Sequence, residues 1–294
     1  MMRLRTAGEN VFAVFNYILL SLVALVSIFP IAHVLALSFS SSASAASGKV
    51  VLLPVEFTLM SYRYVIGNGA FQKAFGVSLT RVALGLSINT LLALLTAYPL
   101  SRVKERFAGK PYFTWFFLIS MIFSGGLIPW YIVIERLGLL NSIWALVLPG
   151  ALPMFNCILL MNYFHSIPSE LEDAAAIDGA GHWATLWQVL VPMSAPVLAT
   201  IALFSIVSHW NSWFDGLILM NSPDKYPLQS YLQTIIINRD PRLMTERDVQ
   251  LLKMINEKTT KSAQIIVAML PIMAVYPFLQ KHFTTGIMLG AVKG

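Results

Sequence analysis

Cysteine is nearly absent: Cys157 stands alone in 294 residues and lies inside an apolar run, so no intrachain disulfide can form. Charge is almost as scarce. Asp, Glu, Lys and Arg make up 12% of the chain, against about 25% in an average soluble domain. The balance of +6 invites a nucleic-acid reading, but the basic residues are scattered and do not alternate with aromatics on one face, so no nucleic-acid partner is expected. A phosphate loop is missing too. Gly48-Lys49 runs into Val50 and Gly109-Lys110 into Pro111, and neither completes G-x-x-x-x-G-K-[ST]. The five histidines lie far apart and the cysteine has no partner, which leaves no metal-ligand spacing. Glu172 and Asp173 are adjacent, but neighbouring helical residues point in different directions, so they do not form a glycosidase pair. No acid, base and nucleophile set stands elsewhere. The chain is therefore expected to carry no catalytic residue, no metal and no cofactor of its own.

What the chain has in abundance is apolar length. Hydrophobic residues make up 57% and the mean hydropathy is +0.70, which fits a polytopic membrane protein in contact with lipid. Apolar runs fall at about 11–38, 75–100, 112–134, 142–164, 193–220 and 263–283, each near or above the about 20 residues that a spanning helix needs. Arg3 and Arg5 precede the first run, and SASAAS at 42–47 offers small residues for signal cleavage. The run is 28 residues long, however, against about 7–15 for the apolar region of a signal peptide. It reads as an uncleaved first helix. The expected fold is a single all-α integral membrane domain over 1–294, with six transmembrane helices and cytoplasmic N- and C-termini. The loop at 101–111, with Arg102, Lys104, Arg106 and Lys110, then falls in the cytoplasm, while the short opposite loop at 135–141 holds only Arg136. Segments 39–74 and 221–262 are extracytoplasmic in this scheme, the second with a short helix expected from Thr245.

A polar segment, residues 165–192, separates the fourth and fifth runs on the cytoplasmic side. Ser169 and Glu172 fit an S-x-x-E capping box behind Pro168. Leu171, Ala174, Ala175 and Asp178 share one small, nearly flat helical face. Gly179 follows where a residue without Cβ can adopt positive φ and reverse the chain. The segment holds Glu170, Glu172, Asp173 and Asp178 but no Lys or Arg, so it is either a solvated face or a surface that meets a basic partner.

The fifth run carries Ser205, Ser208, Asn211, Ser212 and Asp215 at spacings that would align them along one helix, flanked by Trp210, Trp213 and Phe214. Ionisable groups inside a span are rare unless they face protein or water. Two readings stand for this stripe: a transport path that suits sugars, with rings for their C–H faces and polar groups for their hydroxyls, or polar glue between helices. His209 reads as a structural hydrogen-bonder. Arg81 is expected to snorkel toward the outer surface, with a second role if the solute is anionic.

Asp173-Ala174-Ala175, three residues, Gly179, nine residues, Val189, one residue, Val191-Pro192 resembles the EAA signature of ABC-importer permeases, E-A-A-x3-G-x9-I-x-L-P. Asp replaces Glu, and Val replaces Ile and Leu. The six runs, the loop before the fifth, WNSWF at Trp210 to Phe214 and FTTGIMLGAVKG at 283–294 extend the likeness to the maltose-type sugar permeases over nearly the whole chain. RTAGENVFAVFNYILL and HVLALSFSSSASAASGKV resemble the branch serving oligosaccharides and polyuronates, and in particular the second permease subunit of bacterial alginate importers. The resemblance implies a bacterial cytoplasmic (inner) membrane subunit with three kinds of protein partner. These are a second homologous permease, an ABC ATPase dimer that binds ATP and Mg, and an extracytoplasmic solute-binding protein. It makes Glu170, Leu171, Glu172, Asp173, Ala174, Ala175, Asp178, Gly179 and Pro192 the ATPase-coupling residues. Ser208, Trp210, Asn211, Ser212, Trp213, Asp215 and Arg81 become candidates for the substrate path. The 283–294 tail would approach the ATPase dimer, and the 221–262 loop would meet the binding protein. A permease for a non-sugar solute such as a peptide is the first rival. The second is an ion-coupled secondary transporter, for which no paired discontinuous helices are apparent in the sequence.

Overall fold

A computed structural model describes residues 7–102, 107–236 and 257–286. Arg3, Arg5, Lys104, Arg106, the helix expected from Thr245 and residues 287–294 of the C-terminal stretch lie outside the described residues. The chain divides into two compact units: Met1–Gly69 with Asp240–Met269, and Ala70–Arg239 with Leu270–Gly294. Every described element is helical.

In the first unit, α1 (Ala7–Ser38) runs 32 residues, about 48 Å at about 1.5 Å per residue. It is apolar on all sides, and Phe12, Phe15 and Leu25 are exposed, as a helix solvated by lipid requires. Its end turns polar. Ser38 Oγ and Tyr62 Oη are hydrogen-bonded at 2.8 Å, and Ser40 Oγ donates to the Ala36 carbonyl at 2.7 Å. The segment beyond, read from sequence as a loop, contains α2 (Ser42–Ala46), capped by Ser41, and α3 (Met60–Gly67). Phe39 stacks on Phe57 at 5.4 Å and tilts against Tyr62 at 4.8 Å. Glu56, at φ +56°, accepts hydrogen bonds from the hydroxyls of Ser41 and Ser44. These bonds, with Lys49 nearby, hold its carboxyl below the usual carboxylate range. Burial pushes the Tyr62 hydroxyl up, and its bond to Ser38 partly offsets this.

The second unit opens with α4 (Gly69–Ser101), 33 residues long. The third apolar run is not one straight helix. It forms α5 (Lys110–Ile122) and α6 (Leu127–Arg136), bent by 116° at a four-residue break where Gly126 takes φ +86°. The fourth run bends by 47° between α7 (Ile143–Gly150) and α8 (Met154–Ser166), with Pro153 at the joint. After α9 (Glu170–Ile177) come α10 (His182–Met193), whose middle is a π-helical stretch at Thr185–Leu190, and α11 (Ala195–Asn211), bent by 83°. Then follow α12 (Phe214–Leu219) and α13 (Leu228–Ile236). The last described helix, α14 (Glu257–Gly286), contains the sixth run and two prolines; it belongs to the first unit up to Met269 and to the second from Leu270. Among the described residues, two uninterrupted helices are long and apolar enough to cross a membrane, and up to five spans result if each bent pair is one.

The main core of this unit joins α4, α8, α10 and α11. Ala93 and Ala97 are fully buried against Leu160, Phe164, Leu186, Leu190 and Ile201. The alanines of α4 let the larger side chains approach its backbone, the small-residue contact that membrane helices use where no hydrophobic force separates protein from lipid.

Candidate functional site

Two clusters draw together the residues singled out by sequence. At the first, the helix α9 begins without the expected capping box. Ser169 makes no side-chain cap. Its carbonyl accepts the N–H groups of Glu172 and Asp173, both at 3.0 Å. Glu172 turns away from the helix start, is 6% exposed and pairs with Arg102. The guanidinium offers a full opposite charge that the N–H at the helix start lacks, and inside the protein that attraction is weakly screened, so the carboxylate turns to it. Part of the acidity assigned to an external basic partner is thus met within the chain. Arg102 is itself fixed to the end of α4. Its Nη2 donates to Ser101 Oγ at 2.8 Å and its Nε to the Tyr98 carbonyl at 3.4 Å, and the group lies over the Tyr98 ring at 5.0 Å.

The remainder of α9 presents Leu171, Ala174 and Asp178 to the exterior, with Ala175 half-buried and Glu170 and Asp173 exposed. The helix closes as a Schellman turn: the Ala180 N–H donates to Ala175 O at 2.9 Å and the Gly179 N–H to Ala176 O at 3.1 Å. Gly179 has φ +82°, and a Cβ there would meet nothing within 4 Å. The reason for glycine is therefore backbone conformation and not crowding by this chain. Pro192 is exposed in the last turn of α10, while Leu186 and Leu190 anchor that helix in the core. Sequence reading missed two exposed apolar groups here, Ile177 at 86% and Trp183 at 66%. Their signal was apolar side chains in a segment too polar to be a span.

The second cluster corrects two expectations. Arg81 does not snorkel outward. It is 3% exposed and pairs through both terminal nitrogens with Asp215, Nη1 donating to Oδ1 at 3.2 Å and Nη2 to Oδ2. Nη1 also donates to the Ser212 carbonyl at 3.4 Å. A carboxylate in reach of a planar fork keeps the guanidinium inside, where open helix ends would have sent it to the interface. Nor do Ser205, Ser208, Asn211, Ser212 and Asp215 form one helical stripe. The helix α11 stops at Asn211, Ser212 is extended at ψ 127°, and α12 restarts at Phe214. Asp215 Oδ1 organises the restart by accepting from Ser212 Oγ at 2.8 Å and the Gly216 N–H at 2.9 Å.

The stripe residues accordingly divide between two environments. Ser205 and His209 are buried with Asn89 and Asn156. Asn156 donates to Ser205 Oγ at 3.3 Å. With its amide oxygen toward His209 Nε2, Asn89 donates to the carbonyls of Gly85 and Ala151 at 3.1 and 3.0 Å. This is polar glue between α4, α8 and α11. Gly85 is needed for it, because a Cβ would lie 2.3 Å from the His209 ring. Trp210 is buried edge-on against Phe75 at 5.6 Å. Ser208 and Asn211, by contrast, are exposed, Ser212 and Asp215 are half-buried, and Trp213 and Phe214 are 41% and 47% exposed. Nearby, a cleft of about 600 Å³ is bounded by Gly76 and Thr80 of α4 with Asn141, Ser142 and Lys225. Among the described residues no three His, Cys, Asp or Glu side chains gather to hold a metal.

Comparison with known proteins agrees with this architecture. Residues 82–288 match the family described as binding-protein-dependent transport system inner membrane component. Protein LplC of Bacillus subtilis (strain 168) is 39% identical over 289 residues, covering 98% of this chain and 97% of the relative. The polygalacturonan/rhamnogalacturonan transport system permease protein YtcP of the same organism is 37% identical over 286 residues, covering 97% and 99%. A chain in the crystal structure of a bacterial ABC transporter involved in the import of the acidic polysaccharide alginate superposes with a TM-score of 0.89 at 31% identity, covering 96% of this chain and 100% of that one. The chain belongs to the inner membrane components of binding-protein-dependent transport systems, the non-catalytic permease subunits of ABC importers.

Proposed function

We propose that this permease crosses the membrane six times with both termini in the cytoplasm, and that α9 is the coupling helix that receives an ABC ATPase dimer. ATP and Mg bind on that dimer. A second, homologous permease completes the path, and an extracytoplasmic binding protein delivers the solute. The observation that carries the reading is α9 itself: a short helix with an exposed face of Leu171, Ala174 and Asp178, closed by a left-handed turn at Gly179 and held from behind by the buried Glu172–Arg102 pair. Such a helix offers a small, firmly seated knob for a groove. Bifunctional cross-linking from Ala174→Cys tests it. The thiol is expected to reach the ATPase subunit in membranes of the assembled transporter, and linkage from Ser208→Cys but not from Ala174→Cys would reverse the orientation.

The proposed solute is an oligosaccharide, and an acidic one, because relatives of this chain serve polygalacturonan, rhamnogalacturonan and alginate. Ser208, Asn211 and Trp213 are the exposed path candidates. Ser212, Asp215 and Arg81 maintain the helix break between them. Because Arg81 is neutralised by Asp215, uronate charges would be met on the second permease or at other groups along the path. Binding of alginate oligosaccharides, polygalacturonate oligosaccharides and peptides to the cognate solute-binding protein tests the class. A preference for peptides would overturn it.

A further inference from the structure

The two arginine–carboxylate pairs described above share one helix. Arg81 sits in the first half of α4 and Arg102 follows its last residue, Ser101. Twenty residues of helix separate Arg81 from Ser101, about 30 Å at about 1.5 Å per residue, close to the thickness of a bilayer core at about 30 Å. Each pair ties α4 to an element with a different task. Glu172 belongs to α9 and Asp215 to the first turn of α12, just past the break that follows α11.

The stretch between the pairs is firmly seated. Ala93 and Ala97 are fully buried in the core, Asn89 engages His209 and two carbonyls, and Gly85 lies directly against the His209 ring. The Arg102 guanidinium is pinned to the last turn of α4 by Ser101 and Tyr98, so it moves with the helix and not as a free side chain. At the other end, the Asp215 carboxylate holds the Ser212 hydroxyl and the Gly216 N–H, fixing the segment that carries Trp213 and Phe214. Close-packed interiors transmit displacement because they deform little.

We propose that α4 is a rigid link between α9 and the Asn211–Asp215 break, with Arg102 and Arg81 as its two positioning residues. A shift of α9 is passed through Glu172 and Arg102 to α4, and through Arg81 and Asp215 to the aromatic pair at the path. Neither arginine touches the solute in this scheme. The proposal rests on the reading of α9 as the ATPase-facing helix.

The test is a double-mutant cycle on the full transporter in proteoliposomes, reading uptake of an alginate trisaccharide per ATP hydrolysed. Arg102→Gln and Asp215→Asn are each expected to lower that ratio about tenfold, within the range of about 5- to 150-fold that coupling between sites carries. Changes this far apart are normally independent, so a hundredfold loss in the double variant would be the ordinary result. The link predicts about tenfold instead, since a rod broken at one end transmits nothing more when broken at the other. The exchange Arg102→Glu with Glu172→Arg is expected to recover most of the ratio. Multiplying losses, or a ratio unchanged in either single variant, would overturn the proposal. If Arg102→Gln fails to assemble, Arg102→Lys serves in its place, because it keeps the charge but loses the two-pronged geometry. Cross-linking from Ala174→Cys to the ATPase is measured on the same membranes. Its absence removes the α9 reading, whereas its presence with multiplying losses removes the link alone.

Discussion

Breaking the Arg81–Asp215 pair from either side removes the same bond but leaves different charges behind, and the structure ranks the outcomes. Asp215→Ala strands a guanidinium whose side chain is 4% exposed and that keeps the Ser212 carbonyl as an acceptor. Removing one partner of a buried pair costs about 3–5 kcal/mol. The retained carbonyl and the 18% exposure on the Asp215 side place the expected loss at the lower end, about 3 kcal/mol. The Tm is expected to fall with it, by less per kcal/mol than the about 2–4 °C of a 150–250-residue domain because the assembled transporter is larger. Arg81→Met strands a carboxylate that still accepts from Ser212 Oγ and the Gly216 N–H, so its expected cost is smaller, about 1–2 kcal/mol. Arg81→Met combined with Asp215→Asn removes both charges and is expected to be no worse than Arg81→Met alone. Thermal unfolding of the purified transporter in one detergent, followed by tryptophan fluorescence, reads all three. Equal losses in the two single variants, or a double variant as damaged as Asp215→Ala, would refute the argument from a stranded buried charge.

Gly85→Ala would place a methyl group 2.3 Å from His209 Nε2, with an overpacking cost of about 1–3 kcal/mol; His209→Ala in that background is expected to recover part of the lost Tm. Gly179→Val is expected to weaken ATPase retention on the purified permease because φ +82° disfavours a branched side chain, while Gly179→Asn, which tolerates that region, retains it. Glu56 has its carboxyl lowered by Ser41, Ser44 and Lys49. Its contribution is therefore full above the ordinary carboxylate value and lost as pH falls through the lowered one. Protection of the amides across residues 41–56, taken relative to the intrinsic exchange rate at each pH, should fall on acidification in the parent and be insensitive to the same change in Glu56→Gln.

Much of the fold was legible because hydropathy reports burial in lipid directly. All six apolar runs are helical over most of their length. Their direction was not legible, since an average over a window does not register a turn. Ser124-Gly125-Gly126 and Pro153 held local signals, realised at Gly126 with φ +86° and at the joint before Met154, yet their apolar neighbours outweigh them in any window average. At the fifth run, helical spacing aligns side chains only as far as the helix extends, and the helix ends at Asn211. The turn at Gly179 was readable because it depends only on local backbone chemistry. Pairings such as Arg81 with Asp215 and Arg102 with Glu172 were not, because they join residues 134 and 70 positions apart. Glu172 illustrates the competition: a local rule assigned it to the helix start, and a distant cation outbid the N–H.

In the proposed function, solute crosses only when an ATPase acts on α9. The most direct measurement of this requirement is uptake of a labelled alginate trisaccharide into proteoliposomes holding both permeases and the ATPase dimer, with binding protein outside and ATP inside. Uptake is predicted to require ATP and loaded binding protein together, to persist when ion gradients are dissipated, and to collapse in Gly179→Val. Uptake that continues without ATP and stops with an ionophore would contradict the account.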